Sequence, residues 1–114
     1  MQRTDGNWVV WQNANIAVRV QLLNKDNTAV DLSGATVLVK VADKLTSEVL
    51  FSVTVSSHTT PLEGITVIPL SAAQLATAGE YVYQFFVTKA NAAAPGGTET
   101  IPGGVYNFII KKSV

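Results

Sequence analysis

Residues that could do chemistry are few in this 114-residue chain, and they stand far apart along it. His58 is the one histidine, and it lies in a Ser/Thr-rich loop with no acidic residue within four positions. A catalytic triad needs a nucleophile, a base and an orienting acid, and no serine here has the G-x-S-x-G surroundings of a nucleophile elbow. The spacing therefore predicts a solvated loop histidine and no catalytic base.

The acidic residues give no stronger signal, because all eight are spread singly and most fall in turns or loops. They mark no glycosidase pair. The turn 24–27 offers oxygen ligands but lacks the twelve-residue calcium loop, and Asp31 with Ser33 is typical of turn chemistry. The Gly-rich stretch 95–104 lacks the Gly-Lys-Ser/Thr sequence and the helix of a phosphate loop. We therefore predict a protein that is not an enzyme, with no catalytic, cofactor-binding or metal site and no cofactor.

Composition points to a surface that is partly apolar. Hydrophobic residues make up 47% of the chain and charged residues 14%, against about 25% charged in a typical soluble domain. Large exposed apolar patches usually mark interfaces, so we expect the protein to work within an assembly. The net charge is zero, the basic residues are scattered and cysteine is absent. The sequence thus indicates neither a nucleic-acid partner nor a disulfide or thiolate metal site.

Targeting segments are not visible in the sequence. The residues after Met1 are polar and contain no apolar core of a secretion signal. No apolar run reaches the ~20 residues that a membrane-spanning helix needs. We therefore expect a product made in the cytoplasm with no membrane partner.

Alternation of apolar and polar residues predicts an all-β fold. About seven segments alternate with period two, and they are 7–11, 16–23, 36–42, 50–56, 65–70, 80–89 and 105–111. The segment 80–89 is the most apolar and should be the central strand, with Tyr81, Tyr83 and Phe85 pointing into the core. The number and spacing of the strands predict an immunoglobulin-like antiparallel β-sandwich.

The remaining segments complete this single-domain prediction for residues 1–114. Ser71 followed by Gln74 forms a capping-box pattern, and Gly79 can stop a helix, so one short helix is expected at 72–78. Residues 1–6 are expected to form a loose N-terminal arm, and 90–104 a flexible loop. Because the chain ends directly after the last strand, we expect little room for a second module.

Two tryptophans and several outward apolar residues are the strongest binding candidates. Trp8 and Trp11 are three residues apart, so on a strand they point to opposite faces, one toward the core and one toward a surface. An alternative is that both simply pack against the margins of the sheet. The interface candidates are Trp8, Trp11, Leu38, Val82, Phe86 and Ile109. Part of this set is alternatively covered by the helix at 72–78 or the loop at 90–104.

Four short segments together resemble a known family. They are Val-Asp-Leu-Ser-Gly-Ala-Thr-Val at 30–37, Glu-Gly-Ile-Thr-Val at 63–67, Leu-Ser-Ala-Ala-Gln-Leu at 70–75 and Ala-Gly-Glu-Tyr-Val-Tyr at 78–83. Their order and spacing resemble the immunoglobulin-like N-terminal domain of phage baseplate upper proteins and related domains on tail and head proteins. The resemblance runs from about residue 16 to residue 89.

The resemblance implies a structural role. Domains of this family dock on tail or baseplate proteins and carry receptor-binding parts. This chain departs from the family pattern by ending where the family continues into a helical, receptor-binding-protein docking region. We therefore expect an accessory, adaptor or decoration subunit of a bacteriophage virion, on tail, baseplate or capsid. It would be made in the host cytoplasm and present in many copies or as a homo-oligomer among other virion structural proteins.

Two alternatives from other classes remain open at this point. One is a glycan- or cell-surface-binding module, which an exposed Trp8 or Trp11 beside the glycine-rich loop would support and a buried pair would exclude. The other is an enzyme, which would need a cleft that gathers His58 with two acidic residues.

Overall fold

Two β-sheets build the protein. The computed structural model describes the backbone of residues 2–3 and all atoms of residues 7–24 and 26–113. Within these residues the strands are β1 (Gln2–Arg3), β2 (Trp8–Trp11), β3 (Ile16–Leu23), β4 (Thr36–Asp43), β5 (Val49–Val55), β6 (Ile65–Leu70), β7 (Gly79–Ala90) and β8 (Thr98–Lys111). The helical structure in the same residues is limited to two single 3-10 turns, at Pro61–Glu63 and Pro95–Gly97.

The sheet order confirms the predicted β-sandwich. One sheet has five strands in the order β2-β8-β7-β4-β5, and the other has three in the order β1-β3-β6. All described pairs are antiparallel except β2 with β8, which makes the larger sheet mixed. The N-terminal segment pairs first with the small sheet through β1 and then with the large sheet through β2. This order, with the first strand divided between sheets, agrees with immunoglobulin topology.

The core lies between the sheets and follows the predicted alternation. The inward row of β7 is no more than 6% exposed, and it consists of Tyr81, Tyr83, Phe85 and Val87. Tyr83 is at its centre, with its ring stacked on Trp8 at 4.5 Å between centroids and an angle of 17°. Phe108 of β8 meets the same two rings at 5.7 and 6.1 Å. Offset and edge-on aromatic pairs at these distances are favourable beyond the area they bury.

A tyrosine corner fixes the entry into β7. The Tyr81 hydroxyl donates a hydrogen bond to the carbonyl oxygen of Thr77 at 3.0 Å, which ties the strand to the segment just before it. This is the arrangement found at the start of the equivalent strand in immunoglobulin folds. Gly79 lies against the same ring, and a Cβ there would come within 3.2 Å of the Tyr81 hydroxyl. Gly79 and Tyr81 therefore have a structural role, which is to hold the start of β7 against the segment before it.

The predicted helix at 72–78 is wrong in extent. Its capping box does form, because the Ser71 N–H donates to Gln74 Oε1 and the Gln74 N–H donates to Ser71 Oγ. The structure then makes one turn only, closed by the Leu75 N–H on the Ser71 carbonyl at 3.2 Å. The carbonyls of Leu75 and Ala76 accept bonds from the Asn13 N–H and the Gln12 side chain. These acceptors are thereby taken from any second helical turn.

The predicted flexible loop at 90–104 is also shorter than expected. β7 and β8 remain paired as far as Ala90 and Thr98, so the connection spans only 91–97. The sequence 98–104 reads as a loop because it contains Pro102 and two glycines. Pro102 is tolerated in β8 because it lies at a register irregularity opposite Phe86, and bulges accept proline. In the predicted arm, residues 2–3 form β1, while residues 1 and 4–6 lie outside the described residues.

Candidate docking surface

The side of the five-stranded sheet that points away from the three-stranded sheet forms one continuous surface, which we call the outer face. Backbone pairing fixes its rows, because directly paired residues point to the same side of a sheet. Its large apolar members are Val9, Trp11, Leu38, Val49, Val82, Phe86, Val105 and Ile109. Five of the six predicted interface residues therefore share one surface.

Trp8 is the exception, and its prediction as an interface residue is corrected. It is 6% exposed and stacks on Tyr83 inside the sandwich. Trp11 is 59% exposed on the opposite side of β2, so the two tryptophans do point to opposite faces as predicted. Since Trp8 fills the core, a partner cannot reach it in the folded protein.

Exposure varies across the outer face. Val9 is 56% exposed, and Trp11 and Val105 are each 59% exposed, whereas Leu38, Val82, Phe86 and Ile109 are half-buried. Sequence reasoning missed Val9 and Val105. Period-two alternation from the buried Trp8 gives Val9, and from Ile109 gives Val105, once the face of either strand is known.

The centre of the outer face is a shallow depression. It has a volume of about 370 Å³ and is lined by Lys40, Val82, Phe86 and Val105 among others. Phe86 pairs with Leu38 on β4 and with Pro102 on β8, which gives an apolar row across three strands. The shape and chemistry suit contact with another apolar surface.

Charged groups on the outer face are arranged around aromatic rings. The Lys40 Nζ lies 5.3 Å from the centroid of Phe86, and the Lys111 Nζ lies 5.9 Å from that of Trp11. Each ammonium thus meets the negative face of a ring while its aliphatic stem covers apolar surface. Glu80 is exposed at the start of β7, on the same face. The three charges therefore lie at defined points among the apolar residues of the outer face, with Lys40 at the central depression.

His58 has a structural position, and its prediction as a solvated residue is wrong. The ring is partly buried, and its Nε2–H donates to the carbonyl oxygen of Ala35 at 2.7 Å. Nδ1 lies 2.9 Å from the hydroxyl of Thr66, which is 0% exposed. In the neutral ring, the Ala35 contact places the proton on Nε2, so Nδ1 accepts from Thr66. His58 thereby joins the β5–β6 loop to the start of β4 and to β6.

The acidic residues that show perturbed ionisation belong to turns. Hydrogen bonds from the backbone N–H groups of Thr46 and then Leu45 lower the pKa of Asp43. The backbone N–H of Ser33 lowers the pKa of Asp31 in the same way. Hydrogen bonding to a carboxylate favours its charged form, which explains the direction. Among the described residues, no three histidine or acidic side chains lie close enough together to hold a metal ion.

The glycan-binding alternative requires an exposed tryptophan beside the glycine-rich loop, and the structure does not place them together. Trp11 pairs with Lys111 at the end of β8, whereas Gly96 and Gly97 precede that strand and Gly103 and Gly104 lie in its first half. At least seven residues of extended strand, roughly 23 Å, separate Trp11 from these glycines. The exposed tryptophan is therefore not beside the glycine-rich connection.

No protein-family model matches the chain, and no curated protein matches it. The resemblance to the phage domain family stays a prediction. In the part of the chain that the structure describes, no helix has the length and apolar character needed to cross a membrane.

Proposed function

We propose that this protein is a non-enzymatic structural subunit of a bacteriophage virion, which docks on tail, baseplate or capsid proteins and whose outer face is a protein–protein interface within that assembly. The observation that carries the docking role is the continuous apolar surface on one side of the five-stranded sheet. Val9, Trp11 and Val105 are each more than half exposed there. The depression bounded by Val82 and Phe86 gives a partner a complementary place to insert.

The other sheet supports this choice of surface by contrast. Its central strand, β3, carries Arg19 and Gln21 on the outward side. The outer face also carries a polar pair, Lys40 and Gln84, but its exposed Val9, Trp11 and Val105 are larger apolar groups than the exposed Ala17 beside Arg19 on β3. Interfaces are enriched in aromatic residues, and the outer face carries Trp11 and Phe86.

Assignment to a virion is supported by the sequence resemblance alone. In the structure, residues that carry the resemblance stabilise the fold. Asp31 accepts a hydrogen bond from the Ser33 N–H, and the Tyr81 hydroxyl donates one to the Thr77 carbonyl oxygen. They support the fold, while the outer face supports an assembly role. On a particle with many equivalent positions, several weak contacts reinforce one another through multivalency.

The test is the composition of particles from a phage-producing culture that encodes this chain. Mass spectrometry of purified particles should find the protein at a fixed ratio to the tail or capsid proteins. A Phe86→Lys variant places a charge in the apolar row and should be lost from the particles. Ala17→Lys, on the exposed side of the small sheet, is the matched control and should be retained. Absence of the wild-type chain from the particles would overturn the proposal.

A further inference from the structure

We propose that the partner covering the outer face is a second copy of this chain, bound face to face about a two-fold axis. The inference rests on the proposed docking function and names the partner for that surface. Its basis is the position of two opposite charges, Lys40 and Glu80, on either side of the apolar pair Ala42 and Val82.

Strand register fixes the spacing of these charges. Lys40 on β4 pairs with Gln84, and Glu80 lies four residues earlier than Gln84 on β7. With a rise of about 3.3 Å per residue and about 4.8 Å between strands, their Cα atoms are roughly 14 Å apart. The pair Ala42 and Val82 lies midway between them. Opposite charges of this kind, placed symmetrically about an apolar point, are what a self-complementary surface needs.

A two-fold axis through that midpoint, lying in the plane of the interface, brings the charges together across the two copies. Lys40 of each copy then faces Glu80 of the partner subunit, which makes two equivalent ion pairs. The axis runs nearly across the strands, so the two sheets cross at roughly 40°, close to the ~30° of aligned sheet packing. The charges thus select a geometry that β-sheets adopt for independent reasons.

The same rotation also brings apolar residues of the two copies opposite each other, although only the two charges were used to define the axis. By strand spacing, Phe86 of one copy comes opposite the edge formed by Val9 and Ile109 of the partner subunit, which are directly paired. Trp11 comes opposite the Leu38 and Phe86 row. The half-buried side chains of one end therefore meet the more exposed ones of the other end.

Size and net charge fit this assembly. Five strands and eight residues of rise give a projected face of roughly 600 Å², of the same order as the ~800 Å² per partner that stable complexes bury. The formal net charge of the chain is zero, so two copies approach without long-range repulsion.

Charge reversal combined with sedimentation equilibrium tests the inference. Wild-type protein should form a concentration-dependent dimer. Lys40→Glu and Glu80→Lys should each weaken it about tenfold, since each turns two attractive pairs into repulsive ones. The double variant should restore dimerisation, and so should an equimolar mixture of the two single variants, because every cross-copy pair is then opposite in sign. Arg19→Glu and Glu63→Lys, exposed away from the outer face, are matched controls that should leave the dimer unchanged.

Each other outcome overturns the inference in a distinguishable way. A wild-type monomer at all concentrations excludes a second copy as the partner; if Phe86→Lys is still lost from particles, the proposed function survives. A wild-type dimer that neither charge variant weakens rejects the two-fold geometry. Circular dichroism of every variant verifies that the fold is retained, as expected for substitutions at exposed positions.

Discussion

At the residue scale, Tyr83 contacts aromatic rings from three strands of the large sheet. It is 1% exposed and its ring contacts those of Trp8, Phe85, Tyr106 and Phe108. These rings come from β2, β7 and β8, so one side chain links the parallel edge strand to the centre of the large sheet. The buried tryptophan is held by this contact, which is why it is unavailable to a partner.

Replacing Tyr83 with alanine should lower the free energy of unfolding by about 3–5 kcal/mol, as for other large buried aromatic residues. Urea denaturation followed by tryptophan fluorescence measures the change. Tyr106→Ala, at a half-buried position on β8, should cost clearly less. A loss below about 1 kcal/mol for Tyr83→Ala would mean that the ring is not part of a packed core.

The contact between His58 and Thr66 predicts a coupling between two polar residues. His58→Ala leaves the buried Thr66 hydroxyl without its acceptor and should cost about 1–3 kcal/mol. In a Thr66→Val background the same histidine change should cost less, because no buried hydroxyl remains to be satisfied. Equal costs in the two backgrounds, measured by urea unfolding, would contradict the assigned hydrogen bond.

Asp43 predicts a defined acid sensitivity. Its folded-state pKa is lowered from the ordinary 3.8 by the N–H groups of Thr46 and Leu45. The stabilisation is therefore fully present above the unfolded-state pKa, and it is lost as pH falls through the lower folded-state value. Asp43→Ala should reduce the loss of thermal stability on acidification below 3.8, with Glu63→Ala as the control for removing one carboxylate. An unchanged acid profile would show that the turn does not hold the carboxylate.

At the scale of elements, the alternation of apolar and polar residues was sufficient to predict the strands. Local sequence was insufficient where tertiary hydrogen bonds compete with those of a helix. The inward row of β4, Val37, Val39 and Val41, follows from period two alone, and each is 0% exposed. The helix expected after Ser71 fails because Gln12 and Asn13, distant in sequence, take the carbonyls it would use. The local sequence predicts the capping box, but it does not predict the hydrogen bonds from Gln12 and Asn13.

The same limit applies to the site. Low charge and the outward rows of β4, β7 and β8 were enough to predict Leu38, Val82, Phe86 and Ile109. Which tryptophan faces outward depends on the parallel pairing of β2 with β8, a contact about a hundred residues apart that periodicity does not encode. The glycines and the proline at 102–104 likewise led to the prediction of a loop in the first half of β8. Pairing with β7 overrides their low intrinsic preference for strands.

The 91–97 connection should be dispensable for folding. Its backbone hydrogen bonds are internal, as in the Asn91 N–H on the Gly97 carbonyl at 3.0 Å, and the Asn91 side chain donates one bond to Glu99 on β8. The pair Ala90 and Thr98 can be joined by a two-residue turn. Replacing 91–97 with Asn-Gly should preserve near-ultraviolet circular dichroism and cooperative unfolding. Loss of cooperative unfolding would place this connection within the folding core.

At the scale of the whole molecule, the sandwich is asymmetric in chemistry as well as in strand number. The small sheet presents Arg19 and Gln21 on its outward side, and the large sheet presents an outer face with large exposed apolar residues, among which Lys40, Glu80 and Lys111 lie. A chain with 14% charged residues has few charges with which to cover both sides. Concentrating the apolar surface on one sheet prepares that side for burial against protein and leaves the other side to water.

Thiol accessibility in assembled particles tests this account most directly, because cysteine is absent from the chain and one engineered cysteine is then its sole thiol. Val105→Cys reports on the outer face, where the native residue is 59% exposed in the single chain. Leu62→Cys reports on the 3-10 turn before β6, where the native residue is 73% exposed. Both thiols should react readily with a maleimide in the diluted subunit. In purified particles the thiol at 105 should be protected and the thiol at 62 should still react; equal reactivity of the thiol at 105 in particle and free subunit would contradict the account.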